Sequence, residues 1–181
     1  MKFVKLVMTS LCALSLLAIT PARADDDMMK KIINSPNVDS WNVYGAQTHT
    51  KIKDATVQGG SAIEVNVNAT AQNIYDVAGA VDIIAPIHKG DHIIMVVWMK
   101  AKNDDGKGGQ ANLRVQVNAA PYTGLMEKAV TVTNNWQQYY VDAVAADDYA
   151  KGTVVANVQL AYGKQTIDLG PAFVLNLGAG K

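Results

Sequence analysis

Three stretches of the chain alternate between apolar residues and mostly polar, amide-rich ones, a pattern typical of β-strands. Successive side chains of a strand point to opposite faces, so the apolar residues of each stretch share one face. The stretches are residues 61–69, 110–119 and 153–161. Their other faces carry Glu64, Asn66, Asn68; Asn112, Arg114, Gln116, Asn118; and Val155, Asn157, Gln159. We expect these three rows to lie on one curved sheet, with the apolar rows in the core.

The amide rows indicate a binding surface for a neutral ligand. Asn is a poor strand former, so strand propensity does not explain its repeated use here. Asn, Gln and Arg together offer many donors and acceptors, whereas the rows contain a single acid, Glu64. A hydroxyl-rich ligand suits such a face. The alternative is an ordinary solvated sheet surface, and the strand pattern alone leaves both open.

The remainder of the chain predicts further strands and no second domain. Turn residues such as Gly59-Gly60 and Asn134-Asn135 separate the apolar runs, and no helical period lies between them. The predicted strands are residues 41–45, 49–53, 61–69, 81–85, 91–101, 110–119, 129–133, 137–143, 153–161 and 165–177. Many short strands at even spacing predict an all-β fold, an antiparallel sandwich or barrel.

The first residues predict export. Lys2 and Lys5 precede an apolar run at 6–19, and Ala22-Arg23-Ala24 reads as a cleavage site. We therefore expect a signal peptide at 1–24, a polar leader at 25–37 and a β-sandwich domain at 38–178, located in the periplasm or secreted. Cleavage removes the single cysteine, which excludes disulfides.

The charge of the mature chain argues against nucleic acid and membrane partners. Cleavage removes three of the 16 basic residues, leaving 13 against 16 acidic ones. No basic patch remains for nucleic acid or an anionic membrane, and no later segment is long and apolar enough to insert into a bilayer.

Catalysis finds less support than binding. The mature chain has no cysteine and no Gly-x-Ser-x-Gly motif. A glycosidase needs two carboxyl groups about 5–9.5 Å apart, and the amide rows provide only Glu64; other acids, such as Asp104 and Asp147, lie in turns. His49, His88 and His92 are interpreted as exposed loop residues, with a three-histidine metal site as the alternative.

Aromatic residues are the second component expected of a sugar site, because their flat faces complement the C–H face of a pyranose ring. Trp41 and Tyr122 are the strongest candidates, since each lies at a strand end or in a turn beside polar residues. Trp98 and Trp136 are interpreted as structural. The remaining candidates are Tyr44, Tyr75, Tyr149 and Tyr162.

Four segments in order resemble the jelly-roll carbohydrate-binding modules of the family 4/9 type. They are GGSAIEV at 59–65, KGD at 89–91 followed by VVWMKA at 96–101, VTNNWQQY at 132–139, and the pair VQLAYG at 158–163 with TIDLGP at 166–171. The resemblance extends from Trp41 to Leu177. It implies a jelly-roll sandwich and a β-glucan or xylan chain bound on a concave sheet face.

The resemblance and the amide rows together predict a non-catalytic module with no required cofactor. The expected hydrogen-bonding residues are Arg114, Gln116, Asn157, Gln159, Asn66 and Asn68, and the expected aromatic platforms are Trp41, Tyr75 and Tyr122. Related modules often carry Trp in place of Tyr75. Two alternatives remain: a cell-envelope module that binds a protein, and a jelly-roll glycan hydrolase or lyase.

The resemblance also implies a structural calcium near the chain ends. Asp168 matches the position of the expected carboxylate ligand, and carbonyl groups near Gly60 would add oxygens. The following Leu169-Gly170-Pro171 departs from the usual Asp-rich ending.

Overall fold

The computed structural model of the protein describes residues 27–68, 71–103 and 106–180. The predicted signal peptide, with its cleavage site, lies outside the described residues, and so do Ala69 and Asp104. Among the described residues, no helix has the length and apolar character needed to cross a membrane.

Ten antiparallel strands in the described residues build two five-stranded sheets. The strands are β1 (Asn42–Gly45), β2 (Gln47–Lys53), β3 (Ser61–Val67), β4 (Val77–Asp82), β5 (Asp91–Ala101), β6 (Gly109–Val117), β7 (Gly124–Val132), β8 (Gln137–Val144), β9 (Val154–Gln159) and β10 (Gln165–Ala179). Short 3-10 turns occupy Val38–Ser40 and Ile74–Asp76. The first sheet has the order β1-β4-β9-β6-β7, and the second has the order β2-β3-β10-β5-β8. The predicted jelly-roll β-sandwich is confirmed.

The core lies between the two sheets and is built from the predicted apolar rows. Leu113 of β6 and Val158 of β9 are fully buried on the inner face of the first sheet. Val65 of β3 and Met95 of β5 are fully buried on the inner face of the second. Because side chains alternate along a strand, burying these rows turns the intervening polar residues outward.

The three amide rows do not share one sheet, so this part of the prediction is wrong. β6 and β9 are neighbours in the first sheet, with Arg114 opposite Asn157 and Asn112 opposite Gln159. β3 lies in the second sheet between β2 and β10. Alternation fixes which face of a strand is polar but carries no information on which strands pair, because pairing depends on contacts distant in sequence.

A bulge interrupts β10, the central strand of the second sheet. Its register with β5 shifts between Leu169 and Ala172, so Gly170 and Pro171 together oppose Trp98. Proline cannot donate to a sheet ladder and is tolerated in a central strand only at such a bulge. A Cβ atom on Gly170 would lie 2.8 Å from Cβ of Trp98, so this position has no room for a side chain.

Ile33 and Asn34 are buried in the sandwich, although the sequence places them in the polar leader. Ile33 belongs to the core, and Asn34 is 4% exposed. The Asn34 side chain donates from Nδ2 to the Ala172 carbonyl at 2.9 Å and accepts from the Val174 amide at 2.7 Å. On the other side of this segment, the Ile33 carbonyl accepts a hydrogen bond from the Ile84 amide. This segment therefore joins β10 to the chain that follows β4.

We expect Asn34→Ala to lower the free energy of unfolding by about 3 kcal/mol, because it leaves two buried backbone groups without a partner. Urea denaturation measures the change. Asn135→Ala, in an exposed turn, is the matched control and should stay within about 0.5 kcal/mol of the native protein. Equal effects of the two substitutions would contradict the bridging role.

Candidate functional site

A groove of about 830 Å³ lies on the outer face of the first sheet. Strand register arranges the residues of this face in rows across the sheet. One row, which lines the groove, runs Asn42, Ala80, Asn157, Arg114, Glu127. The next row runs Tyr44, Ala78, Gln159, Asn112, Ala129, and its members Tyr44 and Gln159 line the groove. β4 contributes only alanine side chains to these two rows, so the floor is lower there than over the strands that carry larger side chains.

The floor of the groove contains an amide that has no partner. Asn157 is 2% exposed, and its Nδ2 makes no hydrogen bond with any described residue. Its neighbours are paired: Asn112 Nδ2 donates to Gln159 Oε1 at 2.8 Å. A buried donor without an acceptor costs about 1–3 kcal/mol of stability. The unpaired Nδ2 of Asn157 therefore lowers the stability of the unliganded protein.

Arg114 is engaged with three neighbours. Its Nε donates to Gln116 Oε1 at 2.7 Å, and its Nη2 donates to the Tyr122 carbonyl at 3.1 Å. Its Nη1 forms an ion pair with Glu127 of β7. These contacts tie the guanidinium to its own strand, to the edge strand and to the loop between them.

Three partly exposed tyrosines line the groove. Tyr44 of β1 is 40% exposed, Tyr75 of the second 3-10 turn 54%, and Tyr122 of the β6–β7 loop 53%. Burial raises the pKa of Tyr44, and the nearby Tyr122 raises it further. The chain thus brings aromatic rings to the groove from both β1 and the β6–β7 loop.

Six of the nine predicted ligand residues line this groove: Arg114, Gln116, Asn157, Gln159, Tyr75 and Tyr122. The groove is also lined by Tyr44, which was one of the wider aromatic candidates but not an expected platform, and by Asp82, which the sequence did not indicate. The alternation of Trp41, Asn42, Val43 and Tyr44 contained the signal for Tyr44. Because Val43 faces the core, Tyr44 must face outward with Asn42.

Trp41 is not an aromatic platform. It is 8% exposed and belongs to the core, and its indole Nε1 donates to the Gly170 carbonyl at 2.9 Å. Gly79 provides room for the ring, since a Cβ there would lie 3.1 Å from Cε3 of Trp41. Trp41 therefore connects the two sheets through the core.

Asn66 and Asn68 do not join the groove, because β3 belongs to the second sheet. Asn66 Oδ1 accepts from Thr166 Oγ1 at 2.8 Å, and its Nδ2 lies 3.5 Å from Glu64. Glu64 in turn pairs with Lys102 at 2.5 Å. Neighbouring side chains thus use the polar groups of Glu64 and Asn66, and Asn66 and Asn68 line a separate pocket.

Asp168 lies on the outer face of the second sheet, beneath the β2–β3 loop of residues 54–60. It is fully buried, and Lys100 Nζ lies 3.4 Å from its Oδ2. The same ammonium donates to Asp54 of the loop at 2.7 Å and lies 4.7 Å from the centre of the Trp136 ring. Burial raises the pKa of Asp168.

These surroundings do not fit the implied calcium. A lysine ammonium lies beside the carboxylate that would bind the ion, and the Gly60 carbonyl accepts from the Asp54 amide instead. No group of three or more His, Cys, Asp or Glu side chains within residues 27–68, 71–103 and 106–180 is arranged to hold a metal ion.

Solved structures share this fold. A CBM4 structure is 19% identical with a TM-score of 0.60, over 76% of this chain and 95% of that chain. The CBM22-1 xylan-binding domain of Paenibacillus barcinonensis Xyn10C is 12% identical with a TM-score of 0.54, over 83% and 94%. The arabinose-bound arabinofuranosidase MgGH51 is 12% identical with a TM-score of 0.61, over 81% of this chain and 25% of that chain.

These similarities confirm the jelly-roll fold of carbohydrate-binding modules without choosing among module families. The match covers nearly the whole length of the two modules but only a quarter of the length of the arabinofuranosidase. No protein-family model matches the sequence, and no curated protein matches it.

The Asp54 cluster predicts an acid-sensitive contribution to stability. Hydrogen bonds from Lys100, Thr56 and Trp136 hold the pKa of Asp54 well below its usual range. An unfolded Asp has a pKa of about 3.9, so this contribution is present above that pH and declines as the pH falls below it. Asp168 acts in the opposite direction, because its raised pKa makes protonation favour the folded state.

We expect Asp54→Asn to lower the free energy of unfolding by about 2 kcal/mol at pH 7 and by a smaller amount at pH 2.5. Denaturant titrations at the two pH values measure this. Asp39→Asn, in an exposed ion pair with Lys51, is the control and should change stability by less than about 0.5 kcal/mol at either pH. An equal loss for Asp54→Asn at both pH values would contradict the assignment.

Proposed function

We propose that this protein is an exported, non-catalytic carbohydrate-binding module that holds a neutral glycan chain of the β-glucan or xylan type in the groove of the first sheet. The observation that carries the proposal is the unpartnered amide of Asn157 on the floor of a tyrosine-lined groove. Export rests on the sequence features of residues 1–24, and the glycan class is supported by the fold shared with a xylan-binding domain.

The composition of the groove suits a pyranose chain. Tyrosine rings offer apolar faces for the C–H surfaces of sugars, while amides on the floor offer donors and acceptors for hydroxyl groups. The positive charge of Arg114 is balanced by Glu127, and Asp82 adds a negative charge. The groove therefore has no unbalanced positive charge to favour an acidic glycan over a neutral one.

The carboxylates of the groove are poorly placed for hydrolysis. Asp82 lies on β4 and Glu127 on β7, three strand spacings apart in the sheet. At about 4.8 Å per spacing, their strands are separated by about 14 Å, beyond the range used by glycosidases. Glu127 is also engaged by Arg114. These positions support binding without cleavage.

The first binding test compares two tyrosines of similar exposure. Tyr122 lines the groove, whereas Tyr140 lies on β8 of the second sheet and is 56% exposed. We expect Tyr122→Asn to weaken binding by about tenfold, because it removes one aromatic face from the site. Asn tolerates the left-handed backbone that Tyr122 adopts at φ 57°, so the loop is retained.

Isothermal titration calorimetry with cellohexaose and xylohexaose measures the affinities. Tyr140→Asn should leave them unchanged. Absence of binding by the native protein across neutral glucans and xylans, or equal losses in the two variants, would contradict the proposal. Release of reducing sugar from either ligand would instead indicate the hydrolase alternative.

A second test uses the unpartnered amide itself. We expect Asn157→Leu to raise the free energy of unfolding by about 1 kcal/mol, since it removes a buried donor that has no acceptor. The same substitution should weaken glycan binding, because the ligand loses that donor. Urea denaturation and calorimetry measure the two effects.

Asn66→Leu, in the β3 row, is the matched control. Its amide already bonds to Thr166, so the substitution should lower stability and leave glycan affinity unchanged. If Asn157→Leu destabilises the protein as Asn66→Leu does, the amide of Asn157 has a structural role instead.

A further inference from the structure

Arg114 lies on the groove side of β6, where a direct contact with the glycan is the simplest expectation. Its three polar contacts within the protein point to a different role. They involve Gln116 of the same strand, Glu127 of the neighbouring edge strand and the Tyr122 carbonyl of the intervening loop. Each of the three guanidinium nitrogens donates to one of these partners, and the side chain is 24% exposed.

The β6–β7 loop contains a residue, Tyr122, in an unfavourable backbone conformation. Tyr122 has φ 57°, the only positive value among the described residues other than glycine. A left-handed conformation costs a residue with a bulky side chain about 1–2 kcal/mol and persists only where the surroundings hold it. The Tyr122 amide donates to the Ala119 carbonyl at 2.7 Å, and its carbonyl receives the hydrogen bond from Arg114.

Gly124 provides the space that this contact needs. A Cβ atom at this position would lie 3.0 Å from Nη2 and 3.1 Å from Cζ of Arg114. Its backbone is not in the left-handed region, so what a side chain here would change is the room for the guanidinium, which would have to shift. The guanidinium therefore packs flat against β7 where the loop enters that strand.

From these contacts we infer that Arg114 is a positioning residue, which holds the Tyr122 ring in place as one wall of the groove. Arg114 thus affects glycan affinity indirectly, through its hydrogen bond to the Tyr122 carbonyl. The inference rests on the proposed glycan-binding function for its effect on affinity, but the order of the loop in the free protein does not depend on any ligand.

The first arm of the test measures amide hydrogen exchange in the purified protein without ligand. Arg114→Ala and Gly124→Val should accelerate exchange at the Tyr122 and Val117 amides by at least about tenfold. These amides donate to the Ala119 and Thr123 carbonyls within the loop. Amides of β9 should be unchanged. Thr131→Val, elsewhere on β7, is the control and should leave loop exchange at its native rate.

Gly124→Val retains the Arg114 and Tyr122 side chains and introduces a good strand former, so it tests the geometry without deleting either partner. Arg114→Lys retains the charge but replaces the planar fork with a single ammonium, and it should exchange as Arg114→Ala does. Native exchange rates in Arg114→Lys or Gly124→Val would overturn the inference.

The second arm is a double-mutant cycle with cellohexaose and xylohexaose. Arg114→Ala should weaken binding by about tenfold in the native background and by less than about twofold in the Tyr122→Asn background. Equal losses in both backgrounds would show direct contact between Arg114 and the glycan and overturn the inference. If neither hexasaccharide binds the native protein, the glycan proposal fails for these ligands, while the exchange arm still decides whether Arg114 holds the loop.

Discussion

The candidate site depends on the position of β9 between β4 and β6. Its antiparallel pairing with both neighbours buries Ala156 and Val158 on one face and brings Asn157 and Gln159 to the other. A slip of one residue would turn the amides into the core and the apolar side chains into the groove. The burial of the inner face therefore also fixes the geometry of the outer face, and the site needs no separate element to align its floor.

The outward amides of the two sheets differ in their hydrogen bonding. In the second sheet, Asn66 bonds to Thr166, and Glu64 bonds to Lys102. In the first sheet, Asn157 retains an unpartnered donor at the floor of an open groove. The two sheets therefore have similar outward amides but differ in how those amides are paired.

The sequence predicted the fold class and much of the groove because both depend on local alternation. Six ligand candidates reached the groove, and four of them, Arg114, Gln116, Asn157 and Gln159, follow from the period of two along β6 and β9. The prediction failed where partners are distant in sequence. The location of β3 depends on β10, and the buried state of Trp41 depends on Gly79 and Gly170. The β2–β3 loop brings Asp54 and Lys100 together with Asp168, which residue spacing alone did not indicate.

The central position of β10 has a consequence for how the chain reaches its folded state. This strand pairs with β3 on one side and β5 on the other, and residues 32–34 attach to it from the beginning of the described chain. The second sheet is thus divided into two halves until β10, which follows β3 and β5 in the sequence, is in place. Such long-range closure gives slow folding. It also means that the hydrogen-bonding edges of β3 and β5 that flank β10 stay unpaired until that strand is in place.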